Sequence, residues 1–452
     1  MSRYQAYPEY KDSESKWLDQ LPMGWQRAPL KHLVAIKITD GPHETPEFVD
    51  DGIPFLSAEA VKNNKLDFTK KRGFITRELH EIYSKKCLPK IDDVFMIKSG
   101  NTTGNIAIVE TTEEFNIWSP LALIRTDKHK ILPRFIFYVM QADFFRTSVE
   151  LSWSQGTQPN IGMAVIENLH IPVASLLEQR LIANFLDHET AKIDALIGQQ
   201  QQLIQLLKEK RQAVISRAVT KGLNSNAPMK DSGVNWLGEV PEHWSVSRIK
   251  NIVSIPVTDG PHETPKFIDE GVPFVSAEAV SSGELDFNKI RGFISEEANS
   301  TYSKKYSPKK HDIYMVKSGA TTGVTAIVET DDIFNIWSPL AVIRCGNNFE
   351  PYFVLNFMRS EPFQEAIKLN WSFGTQQNIG MGVIENLHIT CPPKSEAEEI
   401  AKYLQNEDQK FKSVVSSAYD AIQLMQERRT ALISAAVTGK IDVRSWQAPT
   451  HQ

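Results

Sequence analysis

The chain states most of its sequence twice, which restricts it to folds built from two like halves. DGPHETP stands at Asp40–Pro46 and again at Asp259–Pro265. In the same register the second half repeats LDF (Leu66, Leu285), RGFI (Arg72, Arg291), YSKK (Tyr83, Tyr302), KSG (Lys98, Lys317) and NIWSPLA (Asn116, Asn335). After a one-residue deletion near 128–152 the match resumes at GTQ (Gly156, Gly374), NIGM (Asn160, Asn378) and VIENLHI (Val165, Val383). Two copies of one unit suggest a pseudo-twofold axis and two equivalent surfaces. A target that is itself two-fold suits such a molecule, and duplex DNA is the leading candidate.

Each copy has two unlike parts. The first, about 160 residues, is rich in β-branched and aromatic residues punctuated by Gly and Pro. Val94–Ile97, Ile106–Val109 and Leu121–Ile124 read as short buried strands, with counterparts at Ile313–Val316, Ala326–Val328 and Leu340–Ile343. A helical stretch follows at Arg134–Phe145 and at Tyr352–Ile367, giving a mixed α+β domain. The second part opens on a capping-box pattern, Ser175 with Glu178 and Ser395 with Glu398. Helical spacing then runs for some forty residues, about 60 Å at 1.5 Å per residue. An apolar stripe of that length needs a partner along it, and the other copy carries one. The simplest solution is an antiparallel two-helix coil. Helices folded back on their own domains, broken near His188–Thr190, are the alternative.

Composition limits the chemistry. The net charge is −5, and residues 40–170 carry 15 Lys/Arg against 18 Asp/Glu. A lone nucleic-acid binder usually shows a basic excess, since phosphate neutralisation supplies most of its affinity. Either the cations are segregated onto one face or a partner supplies phosphate contacts. Cys87, Cys345 and Cys391 share no close spacing, which argues against a disulfide framework or a zinc site. No apolar run approaches a membrane span and the polar start lacks a signal-peptide core, so a cytoplasmic location is expected.

Catalytic signatures are missing. KSGNTTGN (Lys98–Asn105) and KSGATTGV (Lys317–Val324) lack P-loop spacing, and His43-Glu44-Thr45 does not continue as HExxH. What remains are polar turns present in both copies. Lys98, Ser99, Thr102 and Thr103, with Lys317, Ser318, Thr321 and Thr322, combine a cation with hydroxyls and backbone amides, a mix that positions phosphates. Gln158 and Asn160, matched by Gln376 and Asn378, carry amides of the type that bond adenine in the major groove. Tying their loop to the domain's own backbone is the alternative role. Asn101 and Gln377 stand where the copies differ (Ala320 and Pro159), so they are candidate readers as well. Lys85-Lys86 and Lys304-Lys305 are candidate phosphate contacts or simply solvated charge. Trp118, Trp153, Trp337 and Trp371 read as core, and His43 and His262 as structural hydrogen-bonding residues.

These motifs together resemble the DNA-specificity subunit of type I restriction-modification enzymes. The carriers are LPMGW (Leu21–Trp25, echoed as VPEHW at Val240–Trp244), DGPHETP followed by GIPFLSAEAV or GVPFVSAEAV, and GTQPNIGM or GTQQNIGM leading into ENLHI. LLEQRLIANFL, RQAVISRAVTKGL and its partner RRTALISAAVTGKI complete the set, so the resemblance covers nearly all of the chain. It implies two tandem target-recognition domains, each followed by a long helix, the helices packing as an antiparallel coiled coil with pseudo-twofold symmetry. The implied limits are 1–174 and 223–394 (with its linker) for the domains, 175–222 and 395–440 for the spacer helices, and 441–452 for a tail. It further implies a non-catalytic chain without a cofactor that binds double-stranded DNA at a bipartite site. Two methyltransferase subunits with S-adenosylmethionine would methylate adenine N6, and motor-nuclease subunits with ATP and Mg2+ could join them. Family members usually carry dissimilar target domains. Here the copies barely differ, so a near-palindromic site is expected. An interaction scaffold without DNA readout, an adaptor of a methyltransferase lacking a nuclease, and an enzyme with an unrecognised site are the alternatives.

Overall fold

The computed structural model describes residues 4–15, 18–153, 158–280, 283–371 and 377–448. Seven strands of the first copy position the site: β1 (Thr39–Asp40), β2 (Ile53–Leu56), β3 (Gly73–Ile75), β4 (Val94–Ile97), β5 (Ile106–Ile108), β6 (Asn116–Ile117) and β7 (Leu121–Ile124). A four-stranded antiparallel sheet runs β5-β4-β7-β1, and a three-stranded sheet runs β6-β2-β3 with β6 parallel to β2. The second copy repeats both sheets in the same order. The strand expected at Ala326–Val328 lies at Thr325–Ile327, and Val328 bonds onward to the Asp312 carbonyl.

The apolar tetrapeptides form strands because the four-stranded sheet is buried on both faces, where side chains alternate between two cores. Val94, Met96, Ala122 and Ile124 enter a core with Phe135, Tyr138, Phe185 and Leu186. Phe95, Ile97, Leu121 and Leu123 enter a second core with Leu56, Val61, Phe115 and Ile117. The helix-bearing face and the loop-bearing face are therefore separated by one sheet. The second copy divides Ile313–Val316 and Leu340–Ile343 in the same way.

The helical stretch expected at Arg134–Phe145 is two helices, Pro133–Val139 and Asp143–Glu150, and the one expected at Tyr352–Ile367 is Pro351–Arg359 and Glu361–Leu369. The backbone is extended at Ala142 and Ser360, and Pro362 is compatible only with a first helical turn. Each break starts a new helix whose N-terminal amide needs an acceptor. Ser434 Oγ accepts from Asp143 N at 3.1 Å, and Ser216 Oγ accepts from Glu361 N at 2.9 Å. Both serines belong to the long helix of the other copy.

The long helices are continuous over Leu176–Lys221 and Lys394–Val437, without a break near His188–Thr190. Ser175 and Glu178 form the reciprocal capping box, with Glu178 N donating to Ser175 Oγ at 3.3 Å and Ser175 N to Glu178 Oε2 at 3.3 Å. The box expected from Ser395 and Glu398 does not form, because the helix has already begun at Lys394 and Ser395 sits inside its first turn. Glu396 is the counterpart of Glu178, and each accepts the indole N–H of a buried tryptophan, Trp25 at 3.3 Å or Trp244 at 3.0 Å.

The chain forms two compact units, 1–200 with 420–452, and 201–419. In the first, Arg429 Nε meets Asp194 at 2.9 Å, Ile433, Ala436 and Val437 enter the core with Phe185, and Trp446 packs edge-on to Phe185. In the second, Arg211 meets Asp408 at 2.6 Å, and Ile215 and Val219 enter the core with Ile400 and Leu404. In each unit the helix segments run antiparallel, since descending one sequence ascends the other. No described helix is long and apolar enough to cross a membrane.

The turn of DGPHETP depends on glycine. A Cβ added to Gly41 would lie 1.8 Å from the Ile117 carbonyl oxygen, and one on Gly260 would lie 2.1 Å from that of Ile336. Gly41→Ala should therefore cost about 3 kcal/mol, the upper end of overpacking penalties. Urea denaturation checks this, and an unchanged midpoint would mean that β1 can move away from β6.

Candidate nucleic-acid interface

β1 ends on Asp40, a carboxylate at the loop-bearing end of the sheet. Three cationic or protonatable side chains converge on it: Lys86 Nζ at 2.7 Å, Lys98 Nζ at 3.0 Å and His43 Nε2 at 3.3 Å. Asp259 gathers Lys305, Lys317 and His262 at 2.5, 3.1 and 3.1 Å. Burial acts to raise the Asp40 pKa, but the ammonium groups of Lys86 and Lys98 outweigh it and hold the carboxyl below its usual range. Asp259 is held down in the same way by Lys305 and Lys317. Each cluster has two ammonium groups on one carboxylate, so it presents net positive charge although the chain as a whole is acidic. Lys98 is only 14% exposed, whereas Lys86 is 48% and His43 is 70% exposed.

The rest of the motif is fixed by its neighbours. Glu44 accepts from the Tyr83 hydroxyl at 3.1 Å, and burial together with Glu44 pushes the phenol up to about 12. Ser119 N donates to the Pro42 carbonyl at 3.1 Å, joining the turn to the segment that carries Trp118.

Directly after Lys98 the chain forms the tight turn between β4 and β5, with Gly100 and Gly104 at φ +100° and +91°. The loop around residue 160 lies against it. Ser99 pairs with Asn160 in an isolated bridge, Gly100 N donates to the Pro159 carbonyl at 3.0 Å, and Ile161 N donates to the Lys98 carbonyl at 2.8 Å. Ser318 and Asn378 repeat the bridge in the second copy. Two loops about sixty residues apart thus form one ridge. Beside it lies a groove of about 580 Å³ whose lining includes Glu59, Lys62, Arg72, Asn101, Trp118 and Gln158. Arg72 stands 4.5 Å over the Trp118 ring and pairs with Glu59 at 2.9 Å, while Arg291 stands 5.0 Å over Trp337 and pairs with Glu278. A slightly larger cavity, about 590 Å³, lies in the second unit between its domain and the long helices. Its lining includes Arg211, Arg359 and Asp408, and it belongs to the helix-bearing face rather than to the loops.

The sequence-derived site residues therefore divide. Ser99, Asn101, Thr102 and Gln158 come together along the groove, and Asn160 sits on the same ridge. In the second copy Ser318, Thr321, Gln377 and Asn378 occupy the corresponding ridge, while Gln376 lies outside the described residues, as do parts of the loops at 154–157 and 372–376. Lys85 and Lys304 are exposed at the ends of short helices. Lys86 and Lys305 are half-exposed on the aspartates. Lys98 and Lys317 are mostly buried counter-ions of Asp40 and Asp259. Thr103 and Thr322 are buried, and their hydroxyls donate to the Gly100 and Gly319 carbonyls at 2.7 Å, so that donor is spent on the turn. Sequence reasoning missed Asp40, Glu59 and Arg72 and assigned Trp118 and Trp337 to the core. Both tryptophans are half-buried, Trp118 in the groove wall and Trp337 beneath Arg291, and their indole N–H groups have no partner among the described residues. No local pattern joins Glu59 to RGFI or to NIWSP, so nothing in the sequence sets these residues apart as a group.

Asp40→Asn should destabilise the first domain by about 3 kcal/mol at neutral pH, because Lys98 keeps a mostly buried charge without its counter-ion. A carboxyl whose pKa is lowered on folding stabilises above its unfolded value and loses that contribution as pH falls through the folded one. The parent should therefore lose stability below pH 3.8, the ordinary aspartate value, and the variant should lose less there. Thermal melts of both across pH 3 to 7 would test this, and parallel curves would remove Asp40 from the account.

The chain matches the model of the type I restriction modification DNA specificity domain twice, over residues 22–206 and 241–414. It is 24% identical over 443 residues to the EcoKI type I restriction enzyme specificity subunit of Escherichia coli, covering 95% of this chain and 91% of that one. Its fold is similar to a chain solved in work on assembly and conformational transition of the type I R-M system, at TM-score 0.70 and 16% identity, covering 93% and 99% of the two chains. It is also similar to the HsdS subunit from Thermoanaerobacter tengcongensis, at TM-score 0.51 and 17% identity, covering 93% and 98%. The two matched segments take up most of the chain and fall one on each copy of the repeat, and the chain belongs to the family of type I restriction-modification DNA specificity subunits, which are non-catalytic.

Proposed function

We propose that this subunit reads a bipartite, interrupted palindrome in duplex DNA and directs adenine-N6 methylation by two modification subunits. Those partners would carry S-adenosylmethionine, and motor-nuclease subunits using ATP and Mg2+ would cut unmodified sites. The observation that carries the reading is the repetition of one ridge, with Ser99 against Asn160 and Ser318 against Asn378, in two domains that share the KSG, GTQ and NIGM motifs. If the two domains meet the duplex about a twofold axis, like readers require nearly the same half-site on opposite strands. The domains proposed to read them are 1–174 and 223–394, with the long helices as the ruler. Half-site centres about 10 bp apart would place both domains on one face of the duplex.

Within each ridge the amides of Gln158, Asn160, Gln377 and Asn378 are the proposed base readers. The hydroxyls of Ser99, Thr102, Ser318 and Thr321 and the cations of Lys85, Lys86, Lys304 and Lys305 are the proposed phosphate contacts. Lys98, Lys317, Thr103 and Thr322 position these loops rather than meeting DNA. Asn101, facing Ala320, marks a position at which the palindrome can degenerate.

Mapping methylated adenines in cells that carry the system should return an interrupted palindrome. Two unrelated half-sites would sink the symmetric reading, and binding without preference among duplexes would leave an interaction scaffold. Gln158→Ala should relax one half-site at a cost of about 1–3 kcal/mol in discrimination, without changing the melting temperature. A lowered melting temperature with intact specificity would assign that residue to loop structure instead.

A further inference from the structure

Among the described residues that line the groove, Glu59 is the one carboxylate. A carboxylate is repelled by phosphate, so its place on a surface that faces DNA is unfavourable unless it meets a base. It is fixed beside a donor: Arg72 pairs with it at 2.9 Å, the two side chains being 40% and 57% exposed. An ion pair this open to water contributes too little to stability to make the fold depend on it. The guanidinium is nevertheless held in place. Its face lies over Trp118, and its own backbone amide donates to the Phe55 carbonyl at 2.9 Å. The second copy repeats these contacts, with Arg291 over Trp337, paired with Glu278, and its amide on the Phe274 carbonyl at 3.0 Å; Glu278 is also bonded by Ser276.

In the major groove a G·C pair offers two acceptors on guanine, O6 and N7, and beside them the N4 amino donor of cytosine. A guanidinium has five N–H donors, so the hydrogen bond to Glu59 leaves others for guanine, while the second carboxylate oxygen can accept from cytosine. The Arg–Glu couple is thus complementary to both halves of one base pair, whereas a phosphate would satisfy the arginine and reject the glutamate. We propose that Arg72 with Glu59, and Arg291 with Glu278, each read one G·C pair, placed at mirror-related positions of the two half-sites. The proposal rests on the DNA-reading function above and adds a base identity to it.

The full chain in its complex with the modification subunits is tested for binding to its site and to duplexes in which each base pair is replaced in turn. Arg72→Lys keeps the charge and loses the fork, and Glu59→Gln loses the acceptor charge. Both should cut discrimination roughly 5- to 150-fold at one shared G·C position of one half-site, leaving other positions unchanged. Arg291→Lys and Glu278→Gln should do the same at the mirror position, which guards against a single variant that folds poorly. Uniform weakening across all duplexes, or unchanged preference at every position while the parent remains selective, would overturn the assignment. A parent without any preference would instead bring down the DNA-reading function itself.

Discussion

One carboxylate in each domain organises the loop-bearing face. Asp40 joins three chain segments that are distant in sequence: the turn that carries it, the lysine pair after the helix Arg77–Ser84, and the first residue of the loop after β4. Without that counter-charge the mostly buried Lys98 ammonium would stand unpaired at the root of the loop that carries Ser99, Asn101 and Thr102. The glycine beside it completes the constraint, since only a residue without Cβ lets β1 approach the Ile117 carbonyl. The groove wall formed by Trp118 depends on the same contact through the bond between Ser119 and Pro42.

The helix-bearing face follows another rule. Each unit holds one globular domain with the start of its own long helix and the end of the other copy's helix. The serines that cap Asp143–Glu150 and Glu361–Leu369 therefore come from the opposite copy. Within the first unit Asp442 N donates to the Gln5 carbonyl at 2.7 Å, joining the segment after the second long helix to the one before the first domain. The corresponding place in the second unit is spanned by the continuous chain after Gly222. The domain cores and the helix pair are thus built together, because each helix is shared between the units.

Much of this was legible in the sequence. The tetrapeptide strands could be read because residues buried on both faces are apolar without interruption, and Ser175 with Glu178 announced one helix start. The split of Arg134–Phe145 could not be read, because the acceptor that supports it is Ser434, nearly three hundred residues away. In the site, the polar loops were recognised by residue type. The division of their cations into buried counter-ions and exposed charge was not, since KSG and YSKK look alike until Asp40 is placed between them. Arg72 was invisible for a related reason. Its orientation comes from Glu59 and Trp118, and no local pattern links those three positions.

Where the copies differ follows from these two faces. The walls of the groove repeat: glutamate at 59 and 278, arginine at 72 and 291, serine at 99 and 318, tryptophan at 118 and 337. Toward the helices the charges change. Gln141, which accepts from Asn64 and Arg429, is replaced by Arg359, whose guanidinium donates to the Gly283 and Thr325 carbonyls and whose pKa burial pushes down to about 10. Lys65 and Asp194 become Glu284 and Lys412, which form an ion pair in the second unit. The reason is compositional. A domain meets the start of one long helix and the end of the other, and the two helices differ in sequence, so the helix-facing surfaces of the domains must differ as well. The groove faces neither helix and is free of that demand. The repetition of these four wall residues is therefore independent of the assembly of the fold, and it is this repetition that a symmetric DNA target would require.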